Sequence, residues 1–167
     1  MNKAGHYFDT KRPEIAEHSY QLKYRSDKSH INIIAQEAAN FINSKPNWKL
    51  HKLIPIPPSD TVRTFQPVYE LAKAIEIICK LEVDFTTLKK LKSTSQLKTI
   101  DDPEQRREIL QDAFDITPNI LAGENILLFD DLFRSGESLN AVCDIVKNKD
   151  KAANVYVLTI TKTRSKR

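Results

Sequence analysis

Glycine is scarce in this 167-residue chain, with only Gly5, Gly123 and Gly136. A GxxxxGK[ST] phosphate cradle or a GxGxxG dinucleotide fingerprint needs several glycines in one stretch, and neither pattern occurs. That excludes the P-loop nucleotidases. Cysteine is limited to Cys79 and Cys143, with no CxxC pair, and His6, His18, His30 and His51 form no HExxH pattern. The sequence therefore offers no zinc site, and both thiols read as members of helical apolar patterns. No apolar run approaches the ~18 residues that span a bilayer. Met1 to Thr10 shows no apolar run and no cleavage pattern. The expectation is therefore no signal peptide, no membrane and a cytoplasmic location.

Against these absences, hydrophobic residues make up 40% of the chain, enough for a real core. The length predicts one domain over residues 1–167. The net charge of +4 suits a polyphosphate ligand and, equally, weak contact with nucleic acid.

Ile31, Ile34, Ala35, Ala38, Phe41 and Ile42 fall at helical spacing and predict a helix over residues 28 to 44. Leu53-Ile54-Pro55-Ile56 reads as a short strand ended by Pro57 and Pro58. Val68 to Cys79 repeats the helical pattern, and residues 83 to 88 read as a strand. Lys89 to Asp102 is polar and reads as a mobile loop. Pro103 opens a helix to about Asp112. A strand over 125 to 131, a helix over 137 to 147 and a last strand over Asn154 to Ile160 follow. Strands alternating with helices predict an α/β class with a mostly parallel sheet and right-handed crossovers.

The most informative stretch is Ile126-Leu127-Leu128-Phe129-Asp130-Asp131-Leu132-Phe133-Arg134-Ser135-Gly136-Glu137-Ser138. An apolar strand is followed by two acids at its expected end, then by a short loop that opens a helix. Ligands in open α/β sheets bind beyond the carboxyl ends of strands. Acids there suit sugar hydroxyls, and a glycine loop before a helix N-terminus suits a phosphate. The plain structural alternative is a solvated acid pair with Ser135 or Ser138 capping the helix. Asp131, as an exposed strand-end acid, is expected to tolerate Asn with little loss of fold.

Two other segments carry candidate chemistry. The turn after Ile56, with Pro58 and Ser59, presents backbone N–H groups from Ser59 onward, and Arg63 is a bidentate phosphate donor nearby. The segment from Leu88 to Arg107 carries Lys89, Lys90, Lys92, Lys98, Arg106 and Arg107, a basic loop able to close over pyrophosphate. The tail Thr161 to Arg167 is basic and suits solvent or nucleic acid.

The 126–138 stretch resembles the phosphoribosyl pyrophosphate (PRPP) signature of the type I phosphoribosyltransferases. Three further segments resemble the ComF family, the competence-associated phosphoribosyltransferase-like proteins. They are Leu22-Lys23-Tyr24-Arg25-Ser26-Asp27; Pro55-Ile56-Pro57 with Arg63-Thr64-Phe65-Gln66 and Glu70-Leu71-Ala72; and Ser95-Gln96-Leu97 with Arg106-Arg107 and Ala113-Phe114. The resemblance spans about residues 20 to 163. It implies a parallel sheet flanked by helices with a small hood, PRPP as ligand, and Mg²⁺ arriving with the pyrophosphate rather than on a direct protein site. Asp130 and Asp131 would hold the ribose hydroxyls as the catalytic pair. Arg134, Ser135, Gly136, Glu137 and Ser138 would hold the 5′-phosphate. Pro58, Ser59, Arg63 and Lys90 would meet the pyrophosphate. The reaction implied is phosphoribosyl transfer to a nitrogen acceptor; the alternative is a non-catalytic PRPP or nucleotide regulator, or a partner of single-stranded DNA or DNA-processing proteins.

Departures from the family are specific. The N-terminal four-cysteine zinc ribbon is absent, and Thr64 replaces the glycine of the family's RGFNQ segment, whose asparagine is also missing. Arg134 stands where hypoxanthine–guanine enzymes carry an Asp that serves the purine, and arginine stays protonated. That disfavours 6-oxopurine salvage. Glu137 brings a negative charge to a phosphate loop.

Overall fold

The computed structural model describes residues 13–58, 64–92, 100, 102, 104–105, 109–110 and 112–163. Its centre is a four-stranded parallel sheet in the order β2-β1-β5-β6, built from β1 (Lys52–Pro55), β2 (Glu82–Val83), β5 (Asn125–Phe133) and β6 (Asn154–Lys162). A two-stranded antiparallel ribbon, β3 (Leu88–Lys90) with β4 (Phe114–Ile116), stands apart from it. The helices are α1 (Glu14–Arg25), α2 (Ile31–Asn43), α3 (Pro67–Cys79) and α4 (Glu137–Asp144).

Strand β5 organises both layers. Ile126, Leu127, Leu128 and Phe129 are all fully buried, because a strand covered on two faces has no solvent side. Side chains alternate between faces. Leu127 and Phe129 join Leu22 of α1, Ile34 and Ala38 of α2, and Leu71 and Ile75 of α3 on one face. Ile126 and Leu128 join Leu139 and Val142 of α4, and Leu88, Phe114 and Ile116 of the ribbon, on the other. At its amino end the sheet is closed by Trp48, stacked on Tyr156 at 4.4 Å between ring centroids. Asn125 Nδ2 donates there to the carbonyls of Trp48 and Lys49.

The expected helices over 28 to 44 and 68 to 79 are present, the first as a short 3₁₀ turn at Lys28–His30 leading into α2. Three expectations are corrected. The strand over 83 to 88 is broken after Val83. The carboxylate of Asp84 accepts the backbone N–H groups of Thr86 and Thr87 and both their hydroxyls, winding the chain into a turn. Lys89 and Lys90 are not loop but strand, paired with Asp115 and Phe114. The helix over 137 to 147 keeps its α form only to Asp144 and finishes as a wider π turn, Ile145–Lys149. Beyond that turn the buried carboxylate of Asp150 accepts from Ile120 and Leu121 N–H at 3.0 and 2.8 Å. This joins the loop before β5 to the end of the α4 segment. Residues 104–105 and 109–110 are helical, and the rest of the helix expected from Pro103 to about Asp112 lies mostly outside the described residues.

Among the described residues no helix is long and apolar enough to cross a membrane. Both thiols are free and half-buried, and burial pushes each above its ordinary pKa.

Candidate functional site

Strand β5 runs two residues further than expected, to Phe133, so Asp130 and Asp131 lie inside it rather than at its end. Pairing with β1 stops at Pro55 opposite Phe129, whereas pairing with β6 continues through Asp130 opposite Thr159 to Phe133 opposite Lys162. The two acids therefore stand at the step where β5 outruns β1, on the carboxyl side of the sheet, where ligands of open α/β folds bind.

Alternation sends the two acids to different faces. Asp131 continues the Leu127–Phe129 face, beneath α1, and is buried at 7% exposure. It is not the exposed acid expected from sequence. Lys23, in the last turn of α1, reaches it with Nζ 2.6 Å from Oδ2. Lys23 is fixed beside Leu22, which is itself fully buried.

Asp130 continues the Leu128 face toward the ribbon. Its Oδ1 accepts the backbone N–H of Asp131 at 2.8 Å. Burial, and next the negative charge of Asp131, push its carboxyl up to about 7, against the opposing pull of that hydrogen bond and of Lys23. Lys90 of β3 lies within range of Asp130; burial lowers its pKa and the Asp130 charge raises it. Two acids and two lysines thus share one neighbourhood, in which burial and the charge of Asp131 oppose ionisation of Asp130.

The loop after β5 turns at Gly136, with φ +78° and ψ −4°, a left-handed conformation that side chains disfavour. A Cβ at Gly136 would lie 2.7 Å from the Phe133 ring. The close approach there is to the protein's own aromatic ring. Lys162 Nζ lies 5.4 Å from the centroid of that same ring. Gly136 is the N-cap of α4 and no side-chain hydrogen bond caps the helix, so neither Ser135 nor Ser138 acts as the cap. Arg134 and Ser135 are exposed, and Glu137 and Ser138 half-buried.

Of the residues expected at the site, the structure gathers Asp130, Asp131 and Lys90, and sets Arg134 to Ser138 just past the end of β5, in the loop and first turn of α4. Pro58 is half-buried just past β1. Ser59 and Arg63 lie outside the described residues, as do Ser95, Gln96, Leu97, Arg106 and Arg107. The residue that sequence reasoning passed over is Lys23, quoted only as part of a resemblance; a polar helix in the sequence gives no hint that it meets β5.

Comparison with solved structures bears on the fold. The chain superposes on a protein from Neisseria gonorrhoeae with bound ppGpp at a TM-score of 0.52 and 14% identity, over 83% of this chain and 71% of that one. It superposes on hypoxanthine phosphoribosyltransferase of Trypanosoma cruzi complexed with the product IMP at 0.51 and 11%, over 82% and 74%. A second structure of the Trypanosoma cruzi enzyme gives 0.50 and 11%, over 93% and 83%. The fold is that of the type I phosphoribosyltransferases. No family model matches the sequence, and no curated protein matches it significantly. The identities to the solved phosphoribosyltransferases show a shared fold and do not extend to substrates.

Among the described residues no group of three His, Cys, Asp or Glu side chains gathers, and Asp131 already has an ammonium partner. An ion carried on a diphosphate needs no such cage.

Proposed function

We propose that this chain is a ComF-like phosphoribosyltransferase that binds PRPP with Mg²⁺ and passes the phosphoribosyl group to a nitrogen acceptor. The observation that supports it best is the order of groups along β5 and the loop after it: an acid pair at the sheet's carboxyl step, then a Gly136 turn into a helix with no side-chain cap. The acids suit the ribose hydroxyls. The first N–H groups of α4, with Ser135 and Ser138, suit the 5′-phosphate. In the reaction, the acceptor nitrogen forms a bond to C1 of the ribose. The C1–oxygen bond breaks with its electron pair leaving on pyrophosphate, and the acceptor's proton passes to solvent. Positive charge develops on the ribose ring and favours an ionised Asp130 beside it. When bound, Mg²⁺ neutralises charge on the departing pyrophosphate. Lys90 and Lys23 stand near enough to the acids to help. Arg134 argues against a 6-oxopurine acceptor, because it cannot take a proton from the base.

A non-catalytic nucleotide-binding role is the second reading, and the raised carboxyl of Asp130 favours it, since burial and the charge of Asp131 oppose its ionisation. The bound ppGpp of the gonococcal protein belongs to that protein, and it supplies a useful competitor. Calorimetry with PRPP, ribose 5-phosphate, AMP and ppGpp, each with and without Mg²⁺, tests both. Micromolar, Mg²⁺-dependent binding of PRPP, followed by pyrophosphate release with a screened acceptor, supports transfer. Binding of ppGpp or AMP in preference to PRPP supports the regulator. Binding of none refutes both, and directs attention to single-stranded DNA and DNA-processing partners.

A further inference from the structure

The PRPP reading uses Lys23 only as a cation near the acids, although its Nζ stands 2.6 Å from the Asp131 carboxylate. We propose that Lys23 is the residue by which this site distinguishes a sugar phosphate bearing a diphosphate at C1 from the corresponding monophosphate. The proposal rests on the PRPP reading above and adds a selectivity residue to it.

Three observations carry it. First, Lys23 Nζ holds Asp131 Oδ2 at 2.6 Å, with the lysine side chain 29% and the aspartate side chain 9% exposed. The carboxylate is nearly dry, so its oxygens are contested rather than shared freely with water. Second, Lys23 is not on a wandering surface stem. It follows Leu22, packed in the core with α2, α3 and β5, and sits in the last helical turn of α1, where a cation is favoured. Third, Asp131 is one of the two acids proposed to take ribose hydroxyls, so a bound sugar and Lys23 compete for the same carboxylate.

The chemistry of the ligand decides the competition. A ribose carrying only a 5′-phosphate delivers its charge to the Gly136 loop and gives Lys23 nothing in return for Asp131. In a ribose with a C1 diphosphate, the second anionic group is attached one carbon from the 2-hydroxyl. It therefore arrives beside the acids that hold the hydroxyls. An ammonium has three donors on a flexible stem, so Lys23 can yield an Asp131 oxygen to a hydroxyl while gaining a phosphoryl oxygen. Selectivity then arises because only the diphosphate compensates the lysine.

The test is calorimetry on the full chain with Mg²⁺–PRPP, Mg²⁺–pyrophosphate and ribose 5-phosphate, comparing wild type, Lys23→Met and Lys23→Arg. The expected result is a loss of about tenfold or more in affinity for PRPP and pyrophosphate in Lys23→Met, with ribose 5-phosphate unchanged or tighter, and largely restored selectivity in Lys23→Arg. Equal weakening of all three ligands by Lys23→Met would show that Lys23 only tethers α1, and unchanged PRPP affinity would show that it has no part in binding. Either result overturns the proposal while leaving the PRPP reading intact. Wild-type protein that binds none of the three removes that reading, and this role with it. Should Lys23→Met fail to fold, Lys23→Gln, which retains a hydrogen-bond donor for Asp131, carries the same comparison.

Discussion

Replacing Asp130 by Asn should stabilise the protein, and the gain should grow with pH. Burial and the neighbouring Asp131 hold the Asp130 carboxyl up to about 7, against an ordinary value of 3.8. A carboxyl with a raised native pKa binds more protons in the folded than in the unfolded chain between those two values, so stability falls as pH rises through that window. The full cost is reached above pH 7, and three units at about 1.4 kcal/mol each come to roughly 4 kcal/mol. At pH 5 only the first part of the window has been crossed, costing about 1–2 kcal/mol. The isosteric amide keeps an oxygen to accept the Asp131 N–H and carries no charge. Asn adds its own fixed offset, which cancels when two pH values are compared. Thermal or urea unfolding of wild type and Asp130→Asn at pH 5 and pH 8 should therefore show the variant's advantage increasing by about 2–3 kcal/mol, some 4–12 °C in a domain of this size. An advantage that is equal at both pH values, or that shrinks at pH 8, would refute the assignment of a raised carboxyl to this strand. A stabilising loss of a candidate catalytic acid would also be the expected mark of a residue kept for chemistry rather than for folding.

Other expectations follow from the same structure. Gly136→Ala should lose about 2–4 kcal/mol, from the left-handed backbone and from the Phe133 ring in the way of its Cβ. The double variant with Phe133→Leu should recover part of that loss in a urea-unfolding cycle. Asp150→Ala strands the N–H groups of Ile120 and Leu121 and should cost about 2–4 kcal/mol by the same assay. Asp131→Asn, contrary to the expectation for an exposed acid, should cost about 1–3 kcal/mol because it leaves the Lys23 ammonium facing an uncharged amide. If its melting curve matches wild type, the ion pair contributes nothing to folding.

How much of this was legible in the residues differs from element to element. Strand β5 and the loop into α4 were readable because a run of four buried apolar residues, an acid pair and a glycine turn leave few other structures open. Helices α2 and α3 were readable from their apolar spacing. The turn at Asp84 was not, since hydrophobic residues on either side gave a continuous strand pattern and only the side-chain hydrogen bonds of Asp84 break it. Strand β4 is three residues long, too short to show a period. Helix α1 buries little beyond Leu22, so its sequence carries almost no periodic signal. The acid pair was legible as chemistry but not as environment. That Asp131 is buried, that Asp130 is held near neutrality and that Lys23 completes the pair all depend on segments remote in the sequence that meet only in the folded sheet.

Trp48 is the chain's single tryptophan. It sits against Tyr156 at the amino end of the sheet, with Phe41 edge-on at 5.9 Å, while the acid pair and the Gly136 loop lie toward the other end of β5. Its emission therefore reports whether the α2–β6 face is closed, and it is a poor witness to what happens at the carboxyl crest. Intrinsic fluorescence will follow unfolding cleanly and stay nearly silent on ligand binding, so a flat titration would say nothing against a ligand. A second indole introduced at exposed Leu91, just past Lys90 on the ribbon, would give the optical signal that the native chain does not provide there.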